Sequence, residues 1–257
     1  MVFCNIINVM KLIKLSGVLF LIICFFYLYE VYIGFYNRIG TMNLQSTYSE
    51  KSLILDNPAF NGSVKYTALG DSLSAGVGSR DINESFVYNY ALKLSGKYGK
   101  VNLINLADPG DTTEEVINNQ VPRAIAENPD YVTLLIGVND IHNKKNIEDF
   151  RENYRYILNE LLTKTSAHIT VINIPYLGSD RIIIFPYNIL LNSRTNQFNE
   201  IISDVVARAN SEKRIRFVDL YKDTYMISKT DPKYYSPDLF HPSGEGYLLW
   251  SQIINAY

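Results

Sequence analysis

The alternation of apolar and polar positions divides the chain into two unlike parts. From Leu15 to Tyr29 no residue is charged, and the apolar character resumes after Glu30 through Val31, Tyr32, Ile33, Phe35 and Tyr36. Read as a helix, Leu15 to Tyr36 reaches roughly 33 Å, enough to cross the hydrocarbon core of a bilayer. Lys11 and Lys14 precede the stretch and Arg38 alone follows it, and the tyrosines at 27, 29, 32 and 36 suit an interfacial belt. That charge bias favours the N-terminus inside and the remainder outside the cytoplasm. Residues 1–36 therefore read as a signal or membrane anchor. Three other readings compete. A cleaved signal peptide would need a small-x-small site, which the stretch from Phe25 to Met42 lacks. A lipoprotein signal would use Leu21-Ile22-Ile23-Cys24, but no small residue stands before the cysteine and the chain after it stays apolar. A buried core helix is the third. Met10, followed by Lys11, is an alternative start.

Residues 37–62 are mixed and polar without a clear period, and read as a tether; residues 63–257 form the folded body. There, short apolar runs alternate with longer amphipathic ones, the mark of strands joined by crossover helices. The strands are predicted at Val64 to Leu69, Val101 to Leu106, Tyr131 to Ile136, Ile169 to Ile174 and Ile215 to Leu220. Helices are predicted at Ser85 to Leu94, Thr113 to Glu127 with a kink or break at Pro122, Ile147 to Leu162, Asn188 to Ala209, and from about Ser243 to the C-terminus. In Ile147 to Leu162 the residues Phe150, Tyr154, Ile157, Leu158, Leu161 and Leu162 recur at three and four, giving one apolar face. The pattern predicts an α/β protein, a three-layer α/β/α sandwich on a five-stranded parallel sheet. In such sheets ligands bind outside the carboxyl ends of the strands.

Composition narrows the chemistry. Of 257 residues, 24 are basic and 26 acidic, so no polycationic surface offers itself to nucleic acid. Without Lys11, Lys14, Arg38 and Glu30 the remainder keeps 21 basic and 25 acidic residues and is mildly acidic. Both cysteines, Cys4 and Cys24, lie in the apolar segment, so the body has no cysteine nucleophile and no thiolate metal site. Imidazole chemistry falls to His142, His168 or His241.

The loops that follow the predicted strands carry Gly70-Asp71-Ser72-Leu73-Ser74, then Ala107-Asp108-Pro109-Gly110-Asp111-Thr112-Thr113, then Gly137-Val138-Asn139-Asp140, and finally Pro237-Asp238-Leu239-Phe240-His241-Pro242. A lone G-D-S-L tetrapeptide is a weak signal; four ordered blocks at strand ends are a strong one. From about Lys65 to Tyr247 they resemble the SGNH hydrolases, the GDSL esterases and lipases. Ser72, Gly110, Asn139 and His241 supply the four residues of that name. The stretches G-D-S-L-S-A-G and G-D-T-T are most similar to the lysophospholipase and thioesterase I branch. The resemblance implies the flavodoxin-like fold of that family.

The residues also define a mechanism in their own right. A serine hydroxyl needs a base within hydrogen-bond reach, which assigns His241 to Ser72. A carboxylate three residues earlier can hold the other ring nitrogen, which assigns Asp238. The oxyanion needs donors already in place, and the backbone N–H groups of Ser72 and Gly110 with the side-chain amide of Asn139 supply three. No metal or organic cofactor is required. Against these roles stand simpler ones. Ser72 could be a turn residue, Asn139 and Asp140 could cap the next helix, and Asp71 reads as a loop-bracing carboxylate. His142 reads as a surface histidine near the cleft, and His168 as structural.

Arg181 to Asn192 is the most apolar part of the body, and it overhangs the predicted site. Ile183, Ile184 and Phe185 are candidate substrate contacts, as an acyl-binding wall or membrane-facing lid; the alternative is that the segment closes the core. The chain thus reads as a membrane-anchored extracytoplasmic serine esterase acting on a lipid or lysophospholipid ester, or as a secreted one if the segment is cleaved. An O-acetyl esterase or acyltransferase acting on cell-wall or other polysaccharide is the rival, and a non-catalytic surface binding protein comes third.

Overall fold

A computed structural model describes residues 2–40, 52–179, 181–209, 213–228 and 231–256. Helix α1 (Val2–Gly40) is continuous. Its side chains are exposed from Met10 to Glu30 except for the partly covered Cys24. From Val31 to Tyr36 the body partly covers the helix, Gly34 excepted. Phe35 is only 2% exposed. Its ring packs on Tyr187 and His142 at centroid distances of 4.9 and 5.9 Å. Hydropathy counts Val31 to Tyr36 with the membrane-crossing stretch, but the body buries Phe35 and partly covers Val31, Tyr32, Ile33 and Tyr36. The largely exposed part of α1, Met10 to Glu30, is about 31 Å long.

Among the described residues the body holds six strands, β1 (Ser52–Leu55), β2 (Gly62–Gly70), β3 (Gly99–Asn105), β4 (Tyr131–Leu135), β5 (His168–Ile172) and β6 (Ile215–Val218). Their order is β1-β3-β2-β4-β5-β6. Five run parallel, as the sequence predicts, and β1 adds an antiparallel edge, pairing Ser52 to Ile104 and Leu55 to Val101. That sixth strand corrects the five-stranded expectation. It lies inside the stretch read as a tether, of which residues 41–51 fall outside the described residues. Setting β1 aside, the parallel order is that of a flavodoxin-like sheet, whose direction of winding reverses between β2 and β4.

Helices α2 (Phe86–Tyr98), α8 (Leu220–Ser228) and α9 (Gly244–Ala256) pack together, as do α4 (Val121–Glu127), α6 (Ile147–Lys164) and α7 (Tyr187–Ala209), which gives the two outer layers. Local chemistry sets their ends. Ser85 caps α2 by accepting from the Tyr88 N–H, and Asn146 caps α6 by accepting from Glu148. The apolar stripe of α6 buries Phe150, Tyr154, Ile157, Leu158 and Leu161 against the sheet, each apolar side chain contributing about 1.5 to 3 kcal/mol. The predicted disturbance at Pro122 takes a specific form. Between α3 (Thr113–Glu115) and α4 the chain makes a π turn, Val116–Gln120, closed by the Val121 N–H on the Val116 carbonyl. Two short helices were not expected, α5 (Val138–His142) and α8; the second begins at Leu220, where the strand reading ended.

Candidate active site

The sheet delivers Ser72 from the end of β2 and Asn139 from the end of β4, on either side of the winding reversal. The loop after Gly70 is a compact coil in which the Val77 N–H donates to the Ser72 carbonyl at 2.9 Å and the Ala75 N–H to Asp71. Tyr247 on α9 donates its hydroxyl to the Val77 carbonyl at 2.8 Å. Gly78, with a φ of +94°, sits where a Cβ would collide with the Pro242 carbonyl oxygen and stand 3.1 Å from the His241 Cβ. Glycine there lets the serine loop lie directly on the histidine loop.

Three predicted residues come together. His241 Nε2 is 2.9 Å from Ser72 Oγ, and His241 Nδ1 is 2.7 Å from Asp238 Oδ2. With Nδ1–H donating to the carboxylate, Nε2 is left to accept the serine O–H. His241 is 1% exposed and Ser72 7%. The other carboxylate oxygen, Asp238 Oδ1, accepts from the Ser236 hydroxyl at 2.7 Å and from the N–H groups of Phe240 and His241 at 2.8 and 2.9 Å. Leu239 adopts a φ of +61° so that the backbone can wrap this oxygen, a strained posture for a branched side chain. Burial by itself would raise the Asp238 pKa, but the bond to His241, the imidazole's charge and the Phe240 N–H outweigh it and bring it down to about 2. The carboxylate is thus a fixed negative charge behind the imidazole.

The candidate oxyanion donors stand on three loops. Among the described residues no group accepts from the N–H of Ser72 or of Gly110. Gly110 has a φ of +95°, the left-handed region, and a side chain on it would meet open space. Asn139 Nδ2 donates to the Asp111 carbonyl at 2.8 Å, which leaves the amide its second N–H. Among the described residues no group of three or more His, Cys, Asp or Glu side chains is placed to hold a metal ion.

Two residues that the sequence did not single out hold these loops in register. Gln120, at the end of the π turn, accepts from the Gly70 N–H at 2.9 Å and donates to the Gly70 carbonyl and to Asp111 Oδ2, both at 2.8 Å. Thr113 donates its N–H and hydroxyl to Asp140 at 2.9 and 2.6 Å. Asp140 therefore does not cap the next helix, α6, whose cap is Asn146. It accepts from the first residue of α3, whose own cap is Thr112, and tethers the Gly110 loop to the Asn139 loop.

Asp71 braces its loop by accepting from the Leu73 N–H at 3.0 Å, but its Oδ2 is buried with no partner among the described residues. Burial first, and the charges of Asp140 and Asp111 next, push its pKa up to about 7, against the lowering effect of Leu73. His142 departs from the surface reading. Its ring lies between Phe35 and Phe240, its Nε2 is buried with no partner among the described residues, and burial, followed by the charge of His241, lowers its pKa to about 4. His168 opens β5 and stacks on Tyr131 at 5.7 Å. The apolar segment divides between its two readings: Ile182 and Ile183 are buried in the core, whereas Ile184 and Phe185 are exposed. A groove of about 890 Å³ between α6 and α7 shares no residue with this cluster, and Arg151 and Arg208 on its walls both pair with Asp204.

A doubly wound α/β/α sheet with a Ser–His–Asp chain at its carboxyl edge, flanked by a glycine loop and an asparagine loop, defines the SGNH class of hydrolases. The chain belongs to the GDSL-like lipase/acylhydrolase family, whose model matches residues 68–249, and is a carboxylic ester hydrolase. It is similar to the spore germination lipase LipC of Bacillus licheniformis, 26% identical over 75% of this chain and 95% of that one. Among solved structures it resembles a lipase/acylhydrolase from Enterococcus faecalis, with a TM-score of 0.60 and 27% identity over 74% of this chain and 93% of that one. An acetylxylan esterase from Geobacillus stearothermophilus shares the fold, with a TM-score of 0.58 and 18% identity over 76% of this chain and 94% of that one.

Proposed function

We propose that Ser72 is the nucleophile of a serine esterase that cleaves lipid-type carboxylic esters, with His241 as its base and Asp238 as the group that orients and charges the imidazole. The observation that carries this reading is the unbroken chain from Ser72 Oγ through both nitrogens of His241 to Asp238, with links of 2.9 and 2.7 Å. Ser72 Oγ adds to the ester carbonyl carbon while its proton passes to His241 Nε2. The carbonyl oxygen, now negative, takes hydrogen bonds from the N–H groups of Ser72 and Gly110 and from the free N–H of Asn139. His241 returns the proton to the departing alcohol oxygen, the C–O bond breaks, and an acyl-Ser72 remains. Water then repeats the addition with His241 as base and releases the acid. Throughout, Asp238 stays ionised and stabilises the imidazolium.

The exposed apolar side chains Ile184 and Phe185, on a segment that Ser179 bonds to the His241 turn, favour an acyl chain, and the lipase relatives support that choice. The acetylxylan esterase makes an O-acetyl polysaccharide the rival substrate. We further read α1 as a retained membrane anchor with the body outside the cytoplasm, supported by Lys11 and Lys14 ahead of the exposed apolar stretch. The test uses the full chain in detergent, with p-nitrophenyl esters from acetyl to palmitoyl. Turnover that rises with acyl length and vanishes in Ser72→Ala is expected. A preference for acetyl would move the substrate to carbohydrate esters, and no turnover or fluorophosphonate labelling at any length would overturn the esterase reading.

A further inference from the structure

The active-site edge and the exposed part of α1 meet at one level. Tyr27 donates its hydroxyl to the Phe185 carbonyl at 2.9 Å. Tyr27 lies within the exposed apolar stretch of α1, three residues before Glu30, so Phe185 sits about one helical turn inside that stretch rather than beyond its end. Beside it, Ile184, Phe185, Ile189 and Leu190 are 41, 63, 58 and 64% exposed. These four apolar side chains come from two consecutive turns of chain and form one ledge next to the helix. A soluble surface seldom leaves so compact an apolar group uncovered without a partner.

What covers the ledge follows from the helix beside it. Met10 to Glu30 matches a hydrocarbon core of about 30 Å, with Lys11 and Lys14 placed to extend toward the near interface. A ledge at the level of Tyr27 then falls in the outermost part of the opposite leaflet. Lys144 donates to the Tyr32 hydroxyl at 2.7 Å. Tyr32 is five residues beyond Tyr27, about 7.5 Å further along the axis, which puts this ammonium at the depth of lipid headgroups.

The ledge is coupled to the reacting groups. Phe35 of α1 touches His142, His142 touches Phe240, and Phe240 touches His241, with ring centroids 5.9, 5.4 and 5.3 Å apart. Ile183, directly before the ledge, packs at Gly178 beside Phe240, and the Ser179 N–H donates to the Leu239 carbonyl at 2.8 Å. The segment that carries the ledge is thus bonded to the turn that carries the base.

We propose that the catalytic edge is seated on the bilayer that α1 crosses, with Ile184, Phe185, Ile189 and Leu190 inserted among the acyl chains, so that the ester reaches Ser72 from a lipid of the same leaflet. The occupant of the ledge is the leaflet itself. The substrate half of this proposal rests on the esterase reading; the seating half does not, and the two are tested separately.

Full-length Ser72→Ala carrying Phe185→Trp is reconstituted in vesicles of phosphatidylcholine and phosphatidylglycerol that contain lipids brominated at defined acyl positions. Trp250, buried in the core, is the internal reference in the protein without Phe185→Trp. Quenching of the new tryptophan, strongest for bromines near the headgroup, is expected. Emission unaffected by any bromolipid overturns the seating, as does quenching replaced by dependence on protein concentration, which would mean that a second copy covers the ledge. In the second arm, the Ile189→Ser, Leu190→Ser variant in the same vesicles is expected to hydrolyse a fluorogenic ester lipid embedded in the bilayer about tenfold more slowly than wild type, with p-nitrophenyl acetate turnover in solution retained. Equal rates on the embedded ester overturn the delivery route. Absent turnover by the wild type, with quenching intact, overturns only the esterase reading.

Discussion

Gln120 holds Gly70 at both of its backbone groups, accepting from the N–H and donating to the carbonyl, fifty residues away in sequence. The same amide nitrogen reaches Asp111, so one side chain ties the serine loop to the glycine loop. It can do so because the π turn is wider than an α turn and shifts the side chains that follow it around the helix axis.

Gln120→Ala removes both partners of a buried backbone unit. The expected result is a loss of about 2 to 4 kcal/mol in stability, read by urea unfolding, with a fall in kcat that exceeds any rise in KM, because the donors around Gly110 lose their register.

Asn139→Ala deletes a proposed oxyanion donor and leaves the Ser72–His241 pair untouched. A drop in kcat of about a hundred- to a thousandfold with little change in KM is expected in steady-state assays with p-nitrophenyl esters. A change confined to KM would assign Asn139 to ground-state binding instead.

Asp238→Asn keeps the shape of the turn but replaces the charge behind the imidazole and lets the wrong tautomer form. Turnover is expected to fall by about ten-thousandfold near neutral pH, with fluorophosphonate labelling of Ser72 slowed in parallel.

Asp71 makes a pH prediction. Its folded pKa of about 7 lies above the ordinary carboxylate value, so between the two the native chain binds more protons than the unfolded one. Stability from this group is present below about pH 4 and is lost as pH rises toward 7. Asp71→Asn, which cannot ionise, is expected to flatten the decline and to exceed wild type at pH 8 by on the order of 1 to 4 kcal/mol while matching it near pH 4. Denaturant melts across that range check it; parallel curves would refute it.

The five parallel strands and the residues of the Ser–His–Asp chain were legible because each signal is local: an apolar run, then a polar loop with its reactive residue. What was missed depends on distance or on the nature of the surroundings. In β1 the outward Ile54, 61% exposed, is as apolar as the inward Leu53 and Leu55, so its four residues show no alternation in sequence; the edge of β3 makes it a strand. Gln120 carries no mark of its role, since its partners lie across a turn that no periodicity announces. Phe35 read as part of the membrane-crossing stretch and Tyr36 as part of its interfacial belt because hydropathy does not distinguish a bilayer from packing against Tyr187. His142 read as a surface residue for the same reason: Phe35, which covers it, arrives from more than a hundred positions earlier.

Both margins of the sheet are short. β1 and β6 are four residues each, so a neighbouring molecule finds little ladder on which to add a strand. For a catalytic body proposed to be confined to a plane, where copies meet far more often than in solution, those blunt ends offer little from which edge-to-edge polymerisation could start.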